Sequence, residues 1–164
     1  MENALTALAA LDALGINKDD IETGMAAARW PGRLEFVREN PTLVFDGAHN
    51  PAGARTLAAY IRRFHAHRRI WMIFGAMRDK PVDEIAATLF PLAHRVIATR
   101  PDQTRALEPE AIAAQAHQPV QAVASVREAF AMVERLASPE DVVFVTGSLY
   151  LVGEARALLL EQGA

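Results

Sequence analysis

Four short apolar runs punctuate the chain after about residue 40: Thr42 to Phe45, Ile70 to Phe74, Arg95 to Thr99 and Val142 to Thr146. Each is rich in branched or aromatic residues and lacks the polar alternation of a half-solvated strand. That pattern predicts strands buried on both faces and paired in parallel. Between the runs, apolar positions recur at helical spacing. Ala54, Leu57, Ala58, Ile61 and Phe64 line one face of a helix that Asn50 caps and Pro51 opens, so the first two runs and this helix make a βαβ unit. Further helices are predicted at about Val82 to Leu89, Pro109 to His117, Val126 to Ala137 and Leu149 to Gln162, with a weaker strand around Val120 to Ala124. The expected fold is α/β, a Rossmann-like and mostly parallel sheet flanked by helices.

Residues 1–28 differ in kind, with two Ala-rich helical patterns and no strand. Leu5, Leu8, Leu11 and Leu14 recur at three-residue spacing up to Gly15, and a second helix from Lys18 carries Ile21 and Met25. This segment reads as a helical remnant of another domain. It is expected to leave Leu5, Leu8, Ile21 and Met25 exposed, and thereby to drive self-association. Trp30-Pro31-Gly32-Arg33 is the boundary, because Pro31 disfavours helix at Trp30 and Pro-Gly favours a turn. The second domain is read as 29–164.

Composition narrows the chemistry. The chain has 164 residues, 51% hydrophobic and 23% charged, with a formal net charge of −3 and no cysteine. It contains no run of roughly 18 uncharged apolar residues and no basic segment leading a short apolar one, so neither a membrane span nor a secretory leader is expected and the cytoplasm is the expected location. Disulfide scaffolds, thiol catalysis and thiolate zinc sites are excluded, and the acidic balance argues against bulk nucleic-acid binding. A small-molecule partner is expected instead.

Polar clusters follow the predicted strands: Asp46-Gly47-Ala48-His49-Asn50-Pro51, Gly75-Ala76-Met77-Arg78-Asp79-Lys80, Thr99-Arg100-Pro101 and Gly147-Ser148. In open α/β sheets ligands bind beyond the carboxyl ends of the strands, where helix N-termini offer free N–H groups. Turn chemistry alone accounts for Gly47, Asn50 and Pro51, but not for Asp46 or His49. An acid at a strand end accepts hydrogen bonds from a ribose, and a histidine supplies a hydrogen bond, a charge or a stacking surface. Arg33, after its Pro-Gly turn, either forks onto phosphate oxygens or is an ordinary surface arginine. Arg78, Asp79 and Lys80 read either as a polar lip of the same crevice or as a solvated loop with local ion pairs. Ser148 caps the last helix and offers a hydroxyl beside its positive end. The basic run Arg62, Arg63, His65, His67, Arg68 and Arg69 lies near a helix C-terminus and reads as a solvated face. There is no Gly-x-x-x-x-Gly-Lys-Ser/Thr loop and no Gly-x-Gly-x-x-Gly, and Lys18 and Lys80 are the only lysines.

Read in order, Asn3-Ala4-Leu5-Thr6-Ala7-Leu8-Ala9-Ala10, Trp30-Pro31-Gly32-Arg33, Asp46 to Pro51, Phe74 to Lys80 and Gly147-Ser148-Leu149-Tyr150-Leu151-Val152-Gly153-Glu154 resemble the C-terminal part of folylpolyglutamate synthase. That family, often bifunctional with dihydrofolate synthase, lies within the Mur ligase superfamily. The resemblance implies a Mur ligase C-terminal domain preceded by the last helices of the central ATP-binding domain. It implies ATP-dependent joining of a folate or dihydropteroate to L-glutamate through an acyl phosphate. It also implies that Asn3 meets the adenine side of ATP, Arg33 the phosphates and Asp46 the ribose, with His49 and Ser148 near the incoming glutamate. Magnesium is implied with ATP, its ligands and the P-loop being expected outside these residues, so the segment alone is expected to be inactive. The parent is expected to be monomeric. Two other readings stay open: a peptidoglycan-precursor ligase of the same superfamily, and a non-catalytic α/β module that binds a nucleotide in the same crevice.

Overall fold

The computed structural model describes residues 2–162, and the chain divides into two compact units that meet in sequence between Trp30 and Pro31. The first unit is a pair of helices, α1 (Glu2–Ala13) and α2 (Lys18–Ala27). Gly15, at φ +74°, reverses the chain between them in a backbone region that glycine enters at little cost. Asn17 caps α2 by accepting the Asp20 N–H at 2.9 Å. Leu5, Leu8 and Met25 are exposed, as their spacing predicts, but Ile21 is buried. The two helices contact each other, which a reading of each helix as a separate face leaves out.

In the second unit the strands are β1 (Glu35–Arg38), β2 (Thr42–Asp46), β3 (Ile70–Phe74), β4 (Arg95–Ala98), β5 (Val120–Ala122) and β6 (Val142–Thr146). The helices are α3 (Pro51–Phe64), α4 (Val82–Leu89), α5 (Pro109–Ala114), α6 (Val126–Leu136) and α7 (Leu149–Gln162). The sheet order is β1-β2-β6-β3-β4-β5. Neighbours from β2 to β5 run parallel, and β1 pairs antiparallel with β2 through a register shift between Phe36 and Arg38. Strand β1 has no counterpart in the apolar pattern, because Phe36, Val37 and Arg38 are all exposed along this sheet edge. Helix α5 stops at Ala114, three residues short of the expected His117.

Both faces of the sheet are covered, so β3 and β6 are buried at every position. Side chains alternate between the faces. Val44, Met72, Phe74 and Phe144 pack with α3 and α4, whereas Phe45, Trp71, Ile73 and Val145 pack with α6 and α7. Strand β6, the last in sequence, lies between β2 and β3. Its following helix covers one face while those after β2 and β3 cover the other, so the chain parts to opposite sides at the carboxyl ends of these strands. This is the switch point at which α/β sheets open a crevice.

The basic run after α3 is partly structural and not simply a solvated face. His65 is buried, its ring 5.6 Å from that of Phe144. Arg68 donates through Nε to the Glu140 carbonyl at 2.8 Å and through a terminal nitrogen to Thr42 Oγ1 at 3.2 Å, tying α3's exit to the start of β2. Arg62, Arg63, His67 and Arg69 are exposed.

Candidate functional site

Strand β2 delivers Asp46 to the sheet edge. The residue is 8% exposed; its Oδ1 accepts the Ala48 N–H and its Oδ2 the Leu34 N–H, each at 3.0 Å. Burial pushes the carboxyl above its ordinary range, and the two amides and the Arg33 charge pull it partly back. The Gly47 N–H donates to the Gly32 carbonyl at 2.7 Å, and a side chain at Gly47 would collide with Leu149. The Pro31-to-Arg33 turn is thus pinned on the β2 terminus. Leu34 sits at φ +46°, a strained value for a branched residue, and the Asp46 carboxylate is the group that holds its N–H. Glu35 accepts the Gly32 N–H at 2.8 Å and pairs with Arg156. Arg33 itself is exposed beside this brace.

His49 follows at the rim. Its Nδ1 lies 2.8 Å from the Gly47 carbonyl; a carbonyl only accepts, so Nδ1 carries a proton and Nε2 is the ring nitrogen left for a ligand. Asn50 then accepts the Gly53 N–H at 2.8 Å and starts α3, with Pro51 in its first turn.

Strand β6 contributes Gly147 and Ser148. Gly147 adopts φ +104°, and the buried Ser148 accepts the Tyr150 N–H on its Oγ at 3.1 Å, capping α7 and fixing that helix's positive end at the site. The loops after β3 and β4 are laced together. The Arg78 N–H donates to the Arg105 carbonyl at 3.0 Å, the Leu107 N–H to that of Ala76 at 2.8 Å, and Arg78 Nε to that of Ala106 at 3.1 Å. Arg78 is thereby held on the β4 loop. Asp79 and Lys80 stand at the crevice lip, paired at 2.9 Å, and the lysine lowers the Asp79 carboxyl.

These loops enclose a cavity of about 160 Å³ lined by His49, Asp79, Lys80, Arg105, Ser148 and Tyr150 among others. His49 and Ser148 are therefore brought together, and Arg33 and Asp46 form a neighbouring pair at the β2 terminus. Asn3 is an exposed residue of α1 in the first unit. Sequence reasoning missed Arg105 and Tyr150. Arg105 lies well past the end of β4 and returns only because Met77 and Ala106 bridge in antiparallel fashion, whereas Tyr150 sits inside the Gly147-to-Glu154 stretch and reads there as one more helical residue. Among the described residues no group of three or more His, Asp or Glu is gathered to hold a metal ion, and no helix is long and apolar enough to cross a membrane.

In this three-layer α/β/α domain, helix N-termini and cationic side chains converge at the switch point, an arrangement whose donors and charge suit anionic groups. The chain belongs to the Mur ligase, glutamate ligase domain family, whose model matches residues 32–149. Within that family its relatives are folate enzymes. A Halobacterium salinarum protein named for combined folylpolyglutamate synthase and dihydropteroate synthase activity is 37% identical over 160 residues, covering 94% of this chain and 19% of that protein. The structure of FolC from E. coli in complex with DHPP and ADP superposes with a TM-score of 0.89 at 28% identity, over 99% of this chain and 39% of that one. Bifunctional folylpolyglutamate synthase/dihydrofolate synthase from Yersinia pestis, complexed with AMPPNP and Mn ion, gives 0.81 at 26% identity, over 88% and 35%. The chain thus spans less than half the length of each of these proteins.

Proposed function

We propose that this chain is the nucleotide-closing, glutamate-positioning part of an ATP-dependent folate:L-glutamate ligase. In the proposed reaction a folate carboxylate oxygen attacks the γ-phosphorus of ATP and ADP leaves. The glutamate amine then attacks the acyl phosphate carbon, inorganic phosphate leaves, and the amine gives up a proton as the amide forms. Holding the amine against that carbon is worth several orders of magnitude in rate, and that is the task assigned to these residues.

The observation that carries the reading is the cavity at the switch point, in a family defined as glutamate ligase domains. His49 Nε2 is an acceptor suited to an amine, and the capped α7 N-terminus at Ser148 suits a carboxylate. Arg33 is assigned to phosphate oxygens. Asp46 is assigned to the ribose, since each of its oxygens keeps a lone pair after accepting one backbone N–H. Asn3 is assigned to adenine on the sequence resemblance alone. A divalent ion accompanies ATP in this proposal, and as no carboxylate or histidine cluster is gathered for it here, none of the described residues is assigned to it.

The test is steady-state kinetics of the full-length enzyme carrying this domain. His49→Ala is expected to raise KM for glutamate about tenfold, the value of one hydrogen bond at a reacting group, with KM for ATP unchanged. Asp46→Ala is expected to do the converse. ADP release supported by a UDP-linked peptidoglycan precursor and not by a folate would overturn the folate assignment.

A further inference from the structure

Three arginines crowd the corner where the β3 and β4 loops are laced together, and two of them are committed. Arg78 donates to the Ala106 carbonyl and lies 3.8 Å from Glu108; Arg100 donates to the same glutamate at 2.7 Å. Arg105 is different. Its carbonyl is fixed by the Arg78 N–H and the residue lines the cavity, yet among the described residues its guanidinium has no hydrogen-bond or ion-pair partner and acts on Asp79 only through its charge. The cavity's other cation, Lys80, is already paired with Asp79. Arg105 is therefore the cavity cation that no direct pair engages, and the Arg78 N–H holds its backbone beside the β3 loop.

Strand order gives this charge a direction. His49 follows β2, Ser148 follows β6, Lys80 follows β3 and Arg105 follows β4, and the order in the sheet is β2-β6-β3-β4. Strands β6 and β4 lie two spacings apart, about 10 Å, and the bridge between Met77 and Ala106 returns Arg105 to the side of the β3 loop. An amine and an α-carboxylate share one carbon and so fit the His49–Ser148 end together. A second carboxylate, carried on a two-methylene arm, is then free to extend along the row toward Arg105.

We infer that Arg105 reads the side-chain carboxylate of the incoming amino acid and sets the preference for glutamate over its uncharged analogues. This rests on the proposed ligase function and adds the residue that selects the substrate within it. A guanidinium gives a carboxylate a forked, charge-assisted pair that an amide or a methyl group cannot return, so removing it costs most for the acid and little for the analogue.

The experiment uses the full-length enzyme with L-glutamate, L-glutamine and L-norvaline as acceptors and ADP release as the readout. Arg105→Gln is expected to raise KM for L-glutamate by about 10- to 100-fold with KM for ATP unchanged, and to bring the kcat/KM ratio of glutamate to glutamine close to unity. Arg105→Lys should restore part of the discrimination. Because Arg105 is exposed, the variants should melt with the parent, and a matching unfolding midpoint certifies the comparison. Wild-type activity on glutamate together with an unchanged KM and ratio in Arg105→Gln overturns this inference and leaves the ligase reading standing. Absence of any glutamate-dependent ADP release by the wild-type enzyme overturns both.

Discussion

Replacing Gly147 by alanine tests whether the junction between β6 and α7 is as tightly constrained as its geometry implies. The residue sits at φ +104°, where an L side chain costs about 1–2 kcal/mol. A Cβ there would lie 2.6 Å from the Gly75 carbonyl oxygen and 2.7 Å from the Phe74 ring. Neither neighbour can yield easily. Gly75 donates its N–H to the Thr146 carbonyl at 3.2 Å, and its own Cβ position is 2.6 Å from the Thr99 carbonyl; Phe74 is fully buried, edge-on to Phe90 at 5.1 Å. Overpacking of this sort adds about 1–3 kcal/mol, and the loss of unfolded-state freedom returns about 0.4–1 kcal/mol. The net expectation is a destabilisation of about 1–5 kcal/mol, read by urea unfolding as a lower midpoint at unchanged slope. Gly153→Ala is the internal control. It lies in α7 with nothing within 4 Å of its Cβ position, so it should stabilise by about 0.5–1 kcal/mol. A Gly147→Ala loss below about 1 kcal/mol would refute the packing argument.

Asp141→Ala should cost about 1–3 kcal/mol in thermal or urea unfolding, because it strands the buried Trp71 Nε1–H, held at 2.8 Å, and the Ser138 N–H at 2.9 Å; a loss within error would show that both donors find other partners. His65 gives a pH signature. Burial holds its imidazole below the ordinary value, with the Arg68 and His67 charges adding to the shift. The unfolded chain therefore takes up the proton first, and stability is lost as pH falls from about 6.5 toward the folded value. His65→Leu should flatten that part of the stability–pH curve, and an unchanged slope would acquit His65. The 164-residue chain alone is expected to release no ADP from ATP and folate, and turnover by it in a coupled assay would contradict the proposed division of labour.

Most of the second unit was legible because its strands are buried on both faces. A continuous run such as Ile70–Phe74 or Val142–Thr146 leaves little choice of element, and Asn50-Pro51 and Ser148 announce the helices that follow. Strand β1 was not legible, since Glu35–Arg38 is an exposed edge whose pairing depends on β2 being in place. His65 was misread because its neighbours are basic and solvated; its ring is packed between Tyr60 and Phe144, the second far away in the sequence. At the site, His49 and Ser148 could be picked out by their position just past a strand. Arg105 could not, since it reaches the cavity through a loop-to-loop bridge that no local spacing encodes.

The placement of β6 carries a consequence for biosynthesis. Residues 142–146 supply the strand between β2 and β3, so during translation the β3–β4–β5 half can pair while the β1–β2 hairpin has nothing beside it. Until Thr146 has emerged, the inner edges of β2 and β3 both present unpaired N–H and C=O groups on apolar strands, the pattern that templates aggregation. A chain halted before Val142 lacks the strand that joins its two half-sheets, and the nascent protein's need for protection is expected to concentrate in the interval before that last strand arrives.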